Sequence, residues 1–270
     1  MSIDQGYRYP ANEFLREDVR ATQCVASYKH VSVISPKKPY WEGWLMVVPN
    51  NVIEKIEDLD KAVWHEVFQV VRALHTIYST QNRTYEGLMF FGNRGAGAGQ
   101  HVPHAHFHVV PRFSDRVESP FRHPETLLPS DVLVTHVGTY RSLLPHSLKA
   151  VDNLQINLEV QYCANTEPLS TTGELEVLRC VDGSEVYEIC RHNREQDMLL
   201  VTPLNMATDI QSCLRDVVKC LEARDTYKGY NLTTEVHVLK GQSFPLRVVG
   251  RFSDEKSNAL RTLPTLFAAI

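Results

Sequence analysis

Residues 92–112 read GNRGAGAGQHVPHAHFHVVPR, a glycine-rich segment followed by three histidines at alternate positions. The histidines are His104, His106 and His108. Side chains at positions i, i+2 and i+4 of a β-strand project from one face, so an extended conformation would bring the three imidazoles together. The glycines between Gly92 and Gly99 predict a loop whose backbone N–H groups can converge on an anion. We therefore predict a chemical site where this loop meets the histidine strand.

Length and composition favour a globular protein of two halves. A chain of 270 residues has room for two domains of ordinary size. A content of 43% hydrophobic and 22% charged residues is typical of a soluble globular protein. No apolar run reaches the ~20 residues of a membrane-spanning helix. The segment 1–14 is polar and of mixed charge, unlike a secretory signal. Six scattered cysteines without a Cys-x-x-Cys pair favour a reducing compartment, and we expect a cytoplasmic protein without membrane association.

Charge and side-chain chemistry limit the ligands. The net charge of −4 gives no overall attraction to nucleic acid, so we expect none as a partner, whereas small anions remain candidates. Alternating histidines alone suit a zinc ion as well as a phosphoryl group. Arg94, within the glycine-rich segment, is either a phosphate clamp or a solvated loop residue, and the second interpretation is the simpler one.

Periodicity predicts the elements of the first half. The N-terminal residues 1–20 lack a clear period and are interpreted as an arm lying on the domain. A long connection with one short helix at most is expected for residues 114–150, which contain four prolines. The predicted elements are a hairpin over 24–34, a strand over 44–48, a helix over 58–78 capped by Asp58 or Asp60, and a strand over 88–91.

The second half repeats this order. Residues 198–205 are similar to 45–51, an amphipathic helix with apolar positions from Ile210 to Leu221 follows, and a strand is predicted over 235–239. Residues 248–254 are similar to 109–115, which sets Ser243, Pro245 and Arg247 opposite the three histidines. We predict a degenerate second copy, with domains 1–140 and 141–270. The alternative is two unrelated α+β halves that share short words by chance.

The segment from Gly99 to Arg112 resembles the signature of the histidine triad (HIT) family, as does the stretch from Gly43 to Pro49 with the helix after it. The resemblance covers about residues 20–113. It implies an α+β fold, a HIT-like antiparallel sheet with helices. Because small HIT hydrolases are homodimers whose sheets join, two copies in one chain imply an intrachain pseudo-dimer with one active site. A homodimer of such pseudo-dimers stays open.

The family comprises nucleotide hydrolases and nucleotidyltransferases that cleave at a phosphorus atom next to a nucleoside. The resemblance implies that His106 is the nucleophile, forming a nucleotidyl-histidine, and that His104 and His108 orient it and contact phosphoryl oxygens. It also implies phosphate or leaving-group contacts from Asn93, Gly99, Gln100 and His101, with no metal and no cofactor. An imidazole with a pKa near ~6.5 can act as a nucleophile at neutral pH without a strong base, which agrees with this role.

Two departures from the family concern the substrate. Trp44 stands where members usually carry a histidine, and residues 32–36 lack the acid that holds ribose hydroxyls. Other candidates for charge and base stacking are Lys37, Lys38, Tyr40 and Trp41. Because the transferase branches carry glutamine at the third triad position, His108 favours water as the final acceptor.

The expected function is thus a nucleotide phosphohydrolase acting on a nucleoside phosphoramidate or a dinucleoside polyphosphate. The alternatives are a nucleotidyltransferase with a non-water acceptor and a catalytically weak nucleotide-binding or sensing protein. Both would act on, or bind, a small nucleotide.

Overall fold

One antiparallel sheet of ten strands organises the protein. The structure, a computed structural model, describes residues 8–39, 42–82, 84–115, 129–148, 177–182, 185–191, 198–202, 210–223, 225–237 and 246–252. The strands in chain order are β1 (Cys24–Ser27), β2 (Val31–Ile34), β3 (Leu45–Pro49), β4 (Tyr85–Arg94), β5 (Phe107–Phe113), β6 (Val177–Asp182), β7 (Glu185–Arg191), β8 (Met198–Thr202), β9 (Tyr227–His237) and β10 (Leu246–Phe252). They lie side by side in the order β1-β2-β3-β5-β4-β9-β10-β8-β7-β6.

The first five strands and the last five have the same internal order. In each group the first three strands are neighbours, the fifth pairs with the third, and the fourth lies at the centre of the sheet. The two groups meet where β4 pairs antiparallel with β9, from Gly87 opposite His237 to Arg94 opposite Tyr230. An antiparallel sheet with helices, an α+β fold, was expected from the sequence and is observed.

The local predictions for the first half are confirmed at β1, β2 and β3. A short helix, α1 (Glu17–Gln23), precedes β1. The main helix, α2 (Lys61–Gln81), begins after Asp60, whose carboxylate accepts a hydrogen bond from the N–H of Val63 at 2.8 Å. Of the two predicted caps, Asp60 is therefore the one that acts. Buried side chains of α2 recur at helical spacing, so one face of the helix covers the sheet; they include Val63, Val67, Val70, Val71, Leu74 and Ile77.

The prediction of one continuous histidine strand is wrong. Strand β5 begins at Phe107, so His108 is the single triad histidine within it. The N–H of His104 donates to the carbonyl of Val102 at 2.7 Å, and the N–H of Ala105 donates to Ile53 at 2.6 Å. These bonds pull the backbone away from the β-ladder just before the strand begins.

Two central strands are longer than predicted. Strand β4 extends beyond the predicted 88–91, and β9 begins at Tyr227 although a strand was predicted over 235–239. Each supplies the other with ladder hydrogen bonds, so their length depends on a partner distant in sequence rather than on local pattern. The last residues of the predicted strand, 238–239, lie outside the described residues.

Helix α3 (Ser130–Leu143) occupies the connection in which one short helix at most was expected. It packs on the first half, where Arg141 donates to the carbonyl of Cys24 at 2.6 Å and Tyr28 donates to that of Pro145 at 2.9 Å. It also spans the predicted boundary at residue 140. Helix α4 (Ile210–Glu222) lies where an amphipathic helix was predicted. No helix in the described ranges is both long and apolar enough to cross a membrane.

Two glycines give a matched test of the joint between the halves. A Cβ at Gly229, where φ is +142°, would overlap the backbone carbonyl oxygen of Arg94 in the neighbouring strand. A Cβ at Gly138, in α3, would meet nothing within 4 Å. We expect Gly229→Ala to lower the free energy of unfolding by about 2 kcal/mol or more, because backbone strain of ~1–3 kcal/mol adds to the clash. Gly138→Ala should raise it by up to ~1 kcal/mol through helix propensity.

Denaturant unfolding followed by circular dichroism measures both variants against the parent chain. Equal midpoints for Gly229→Ala and the parent would show that β4 and β9 do not approach as closely as described.

Candidate active site

His106 is buried with one ring nitrogen already engaged. Its side chain is 6% exposed, and its Nδ1 lies 2.8 Å from the carbonyl oxygen of His104. A carbonyl oxygen can accept a hydrogen bond but not donate one, so Nδ1 carries the proton. In the neutral ring Nε2 therefore holds a lone pair. This is the form that an imidazole nucleophile requires.

His108 has the opposite arrangement at its ring nitrogens. The indole Nε1–H of Trp44 donates to Nδ1 of His108 at 3.1 Å. Because an indole nitrogen only donates, Nδ1 of His108 is the acceptor and its proton lies on Nε2. Phe91 stacks on the ring, with centroids 4.5 Å apart and planes 18° from parallel, while the His106 ring meets it edge-on at 5.1 Å.

These two rings lie on the sheet face opposite α2. The neighbouring side chain Phe107 points to the helix side, where its ring packs 5.1 Å from that of Trp64 and 5.0 Å from that of Phe90. Alternation along β5 then directs His108 to the other face. The predicted grouping of His106 and His108 is thus observed, although a regular strand does not produce it.

The N-terminal arm closes one side of the triad. Phe14 packs against the rings of His106 and His104 at 5.0 and 5.7 Å, and the carbonyl of His101 accepts the N–H groups of Arg8 and Tyr9 at 2.8 and 3.2 Å. This matches the expectation that the arm lies on the domain. No sequence pattern indicated that Phe14 contacts the histidines.

His104 is fully buried between two main-chain carbonyls. Its Nδ1 lies 3.1 Å from the oxygen of Ala11, in the arm, and its Nε2 lies 3.0 Å from that of Pro49. A neutral imidazole has one N–H, so it donates to one of the two. His104 therefore connects the arm to the end of β3 and, through its own carbonyl, orients His106.

Burial keeps the triad uncharged. It lowers the pKa of His106 to about 4, against the opposing effect of the hydrogen bond to His104. Burial also lowers the pKa of His104, and burial followed by the proximity of His106 and His101 holds the pKa of His108 well below its ordinary value. The imidazoles are therefore neutral at neutral pH, with an unprotonated nitrogen on His106 beside an N–H donor on His108.

The glycine-rich loop differs from the predicted anion cradle. It forms a short 3-10 helix, Ala96–Ala98, in which the N–H groups of Ala98 and Gly99 donate to the carbonyls of Gly95 and Ala96. The N–H of Gly95 donates to the side-chain Oε1 of Gln100 at 2.7 Å, and Nε2 of Gln100 donates to the carbonyl of Glu54. These amides already make hydrogen bonds within the protein. Its glycines instead permit close packing on the backbone of residue 228.

Asn93, a predicted phosphate contact, is held by the second half of the chain. Nδ2 of Asn231, in β9, donates to Oδ1 of Asn93 at 2.8 Å and to the carbonyl of Ala98 at 3.0 Å. Arg251, in β10, donates to Oδ1 of Asn231 at 2.6 Å. Because its oxygen is occupied, Asn93 presents its amide Nδ2 beside Gly99. Sequence patterns gave no sign of Asn231, and the similarity of residues 248–254 to 109–115 did not indicate that Arg251 holds Asn231.

Arg94 is neither a phosphate clamp nor a solvated loop residue. Its Nε donates to Glu57 at 3.2 Å, and the hydroxyl of Tyr230 donates to the other carboxylate oxygen at 2.9 Å. The side chain of Arg94 is 16% exposed and that of Glu57 only 7%. Because Tyr230 lies in β9, Glu57 connects Arg94, at the start of the loop, to that strand.

The described ranges contain no group of three or more His, Cys, Asp or Glu side chains placed to hold a metal ion. Of the residues suggested as a base platform, Tyr40 and Trp41 lie outside the described residues, as do Ser243 and Pro245.

Comparison with known proteins shows that the chain contains a HIT domain: residues 17–115 match the model of that domain. The chain is 33% identical over 78 residues to an uncharacterised HIT-like protein of Borreliella burgdorferi, covering 28% of this chain and 56% of that protein. It is 27% identical over 75 residues to the bis(5'-adenosyl)-triphosphatase of Dictyostelium discoideum, covering 28% and 50%. The chain thus spans about half the length of these relatives.

Among solved structures, a HIT-like protein from Bartonella henselae superimposes with a TM-score of 0.41 and 20% identity. That match covers 50% of this chain and 98% of the other.

The low pKa of His106 predicts a specific pH dependence of stability. Between its folded pKa of about 4 and its ordinary value of 6.5, the unfolded chain binds a proton at this ring and the folded chain does not. Stability from His106 is therefore complete above pH 6.5 and is lost as the pH falls toward 4, by up to about 3 kcal/mol. Denaturant unfolding at pH 7 and pH 4 should show a smaller acid loss for His106→Asn than for the parent chain. Equal losses would contradict the buried, neutral state of this ring.

Asn231 can be tested with a nearly isosteric change. Asn231→Asp keeps an oxygen for Arg251 but removes the N–H donors to Asn93 and Ala98. We expect a loss of ~1–3 kcal/mol in the free energy of unfolding, since buried acceptors are left unsatisfied. Amide hydrogen exchange should also become faster at Gly99. Unchanged exchange there would show that β9 does not support the loop.

Proposed function

We propose that the HIT domain of this chain is a nucleotide phosphohydrolase of the nucleoside phosphoramidate or dinucleoside polyphosphate type, acting through a nucleotidyl-histidine on His106. The observation that carries the proposal is the hydrogen bond from Nδ1 of His106 to the carbonyl of His104. It fixes the nucleophilic tautomer in the ground state. A serine or threonine nucleophile would need a separate base, whereas this ring needs none.

The geometry supports a two-step reaction. Nε2 of His106 attacks the α-phosphorus, a nitrogen–phosphorus bond forms, and the bond to the leaving group breaks with its electron pair going to the leaving atom. The positive charge that develops on the His106 ring is stabilised by the carbonyl of His104, which accepts the Nδ1 proton. The Nε2–H of His108 is available to a phosphoryl oxygen.

Water completes the cycle in this proposal. It attacks the same phosphorus, the nitrogen–phosphorus bond breaks, and the electron pair returns to Nε2 of His106 while the proton of the water passes to solvent. The products are a nucleoside monophosphate and the departed group. The name of the Dictyostelium discoideum relative, a triphosphatase of a bis(5'-adenosyl) compound, supports a small nucleotide as the substrate class.

We further propose that residues 141–270 are a degenerate HIT-like copy and that the chain is an intrachain pseudo-dimer with one active site. The shared strand order supports this, and so does the register. Gly87 stands opposite Arg112, and Gly229 stands opposite Arg251 in the same relation. The same correspondence sets Arg247 at the position of His108. Pairing of such chains into a homodimer, and location in the cytoplasm, stay predictions.

Replacement of the nucleophile tests the function directly. We expect His106→Ala to reduce nucleotide release on the order of 10³-fold or more, because no other group can form the covalent intermediate. When the reaction of the parent chain is quenched at high pH, where the acid-sensitive nitrogen–phosphorus bond survives, mass analysis should find a nucleotidyl adduct at residue 106. The matched control is His146→Ala, at an exposed histidine, which should leave turnover unchanged.

The mass of the adduct also identifies the base and the number of phosphates. Full turnover by His106→Ala would rule out His106 as the nucleophile and with it the proposed mechanism. Tight nucleotide binding without turnover in the parent chain would identify a sensor, and an adduct that persists until an acceptor is added would identify a transferase.

A further inference from the structure

We propose that Trp44 makes this site selective for phosphoanhydrides, whose leaving group departs as an anion, over phosphoramidates, whose amine leaving group must take a proton. The inference rests on the proposed function of His106. Its starting point is the hydrogen bond from the indole of Trp44 to Nδ1 of His108. Trp44 is 4% exposed, so water does not compete for this contact.

The chemistry of an indole restricts His108 to one state. A histidine side chain at position 44 could accept a proton from His108 as well as donate one, whereas the Nε1–H of Trp44 can only donate. Protonation of His108 at Nδ1 would turn two N–H groups toward each other in a buried place, leaving both without an acceptor. The stacked ring of Phe91 and the edge-on indole, 5.6 Å from His108, fix the plane of the imidazole and hinder escape by rotation.

A neutral His108 can donate a hydrogen bond but is a poor acid. Transfer of its Nε2 proton would leave an imidazolate, far less stable than the neutral ring that an imidazolium leaves. The other triad protons are also committed. The Nδ1 proton of His106 is donated to the carbonyl of His104, and both nitrogens of His104 face carbonyls. The triad thus contains a hydrogen-bond donor without a ready proton donor.

The two substrate types differ at this point. When His106 attacks an anhydride, the phosphorus–oxygen bond breaks and the electron pair goes to a phosphate oxygen, which leaves as an anion with no proton transfer. When it attacks a phosphoramidate, the phosphorus–nitrogen bond breaks and the pair goes to an amine nitrogen. That nitrogen must gain a proton in the same step to leave as a neutral amine. A triad that offers a hydrogen-bond donor but no acid therefore favours the anhydride.

Kinetics on the full chain test the selectivity. The probes are two pairs with a shared nucleoside: diadenosine triphosphate with adenosine 5'-phosphoramidate, and the corresponding guanosine compounds. In the pair that is hydrolysed, we expect kcat/KM to favour the anhydride by at least about tenfold. Trp44→His, which restores a ring able to accept from His108, should shift this ratio toward the phosphoramidate by about tenfold or more, within the range of general acid catalysis.

The matched control is Trp64→Phe. Trp64 is also a buried tryptophan, but its indole N–H has no hydrogen-bond partner among the residues that the structure describes, and its ring packs on the other side of the sheet. Removing that nitrogen should leave the ratio unchanged.

NMR of the imidazole nitrogens tests the tautomer without any substrate. In chain labelled with ¹⁵N-histidine, His108 should show a proton on Nε2 and a bare Nδ1. Trp44→Phe, which keeps an aromatic ring but removes the donor, should produce a mixture of tautomers. A proton on Nδ1 in the parent chain would overturn the proposal.

The two hypotheses fail in different ways. Two results overturn the proposed selectivity and leave the proposed hydrolase intact. One is a preference of the parent chain for the phosphoramidate, whichever group supplies the proton. The other is an unchanged kcat/KM ratio in Trp44→His. If no compound of either pair is hydrolysed, the proposed function is contradicted and the selectivity with it. The tautomer of His108 then still shows whether the Trp44 contact exists.

Discussion

The pairing of β4 with β9 is the interaction on which the rest of the structure depends. It joins two groups of five strands into one sheet and brings Gly229 against the backbone at Arg94. The same ladder sets Asn231 beside Asn93, so the amide of Asn231 can hold the loop that leads into the triad. Because Asn231 bonds both Asn93 and the carbonyl of Ala98, the position of the loop depends on this neighbouring strand. The candidate site is therefore built by both halves, although all three histidines belong to the first.

Two partners that can each make only one kind of hydrogen bond determine the chemistry of the triad. A carbonyl accepts from His106, and an indole donates to His108. Burial alone would make both rings neutral without deciding which nitrogen carries the proton. The carbonyl and the indole decide this in opposite ways. Nε2 therefore carries a lone pair on His106 and a proton on His108. An ionisable residue in place of Trp44 would allow protons to move between the rings, which this arrangement opposes.

The sequence predicted what depends on local pattern. Alternation and helical spacing were sufficient for the hairpin, β3, α2 and α4, and the histidine motif located the site. The irregular segment before β5 was not predictable, because it depends on the N–H of Ala105 reaching Ile53, more than fifty residues earlier. Glycine content suggested an anion cradle, yet glycine at positions 95 and 97 serves close packing on residue 228. Asn231 contacts Asn93 across 138 residues, and a lone asparagine in a strand carries no pattern that would mark it.

If the second half is a copy of the first, the strand register shows one place where the two copies differ. Met89 stands opposite Val110, and Asn231 stands opposite Val249 in the same relation, so the two occupy corresponding places if the halves are copies. The first copy has an apolar side chain there, and the second has an amide aimed at the loop of the first. In a symmetric homodimer a substitution at this place would appear in both subunits and act at both sites. Within one chain the two places can differ, so one half can supply the nucleophile while the other supplies polar groups that hold it. If the halves are copies, the absence of the histidines from the second half and the presence of a supporting amide there are two parts of one specialisation.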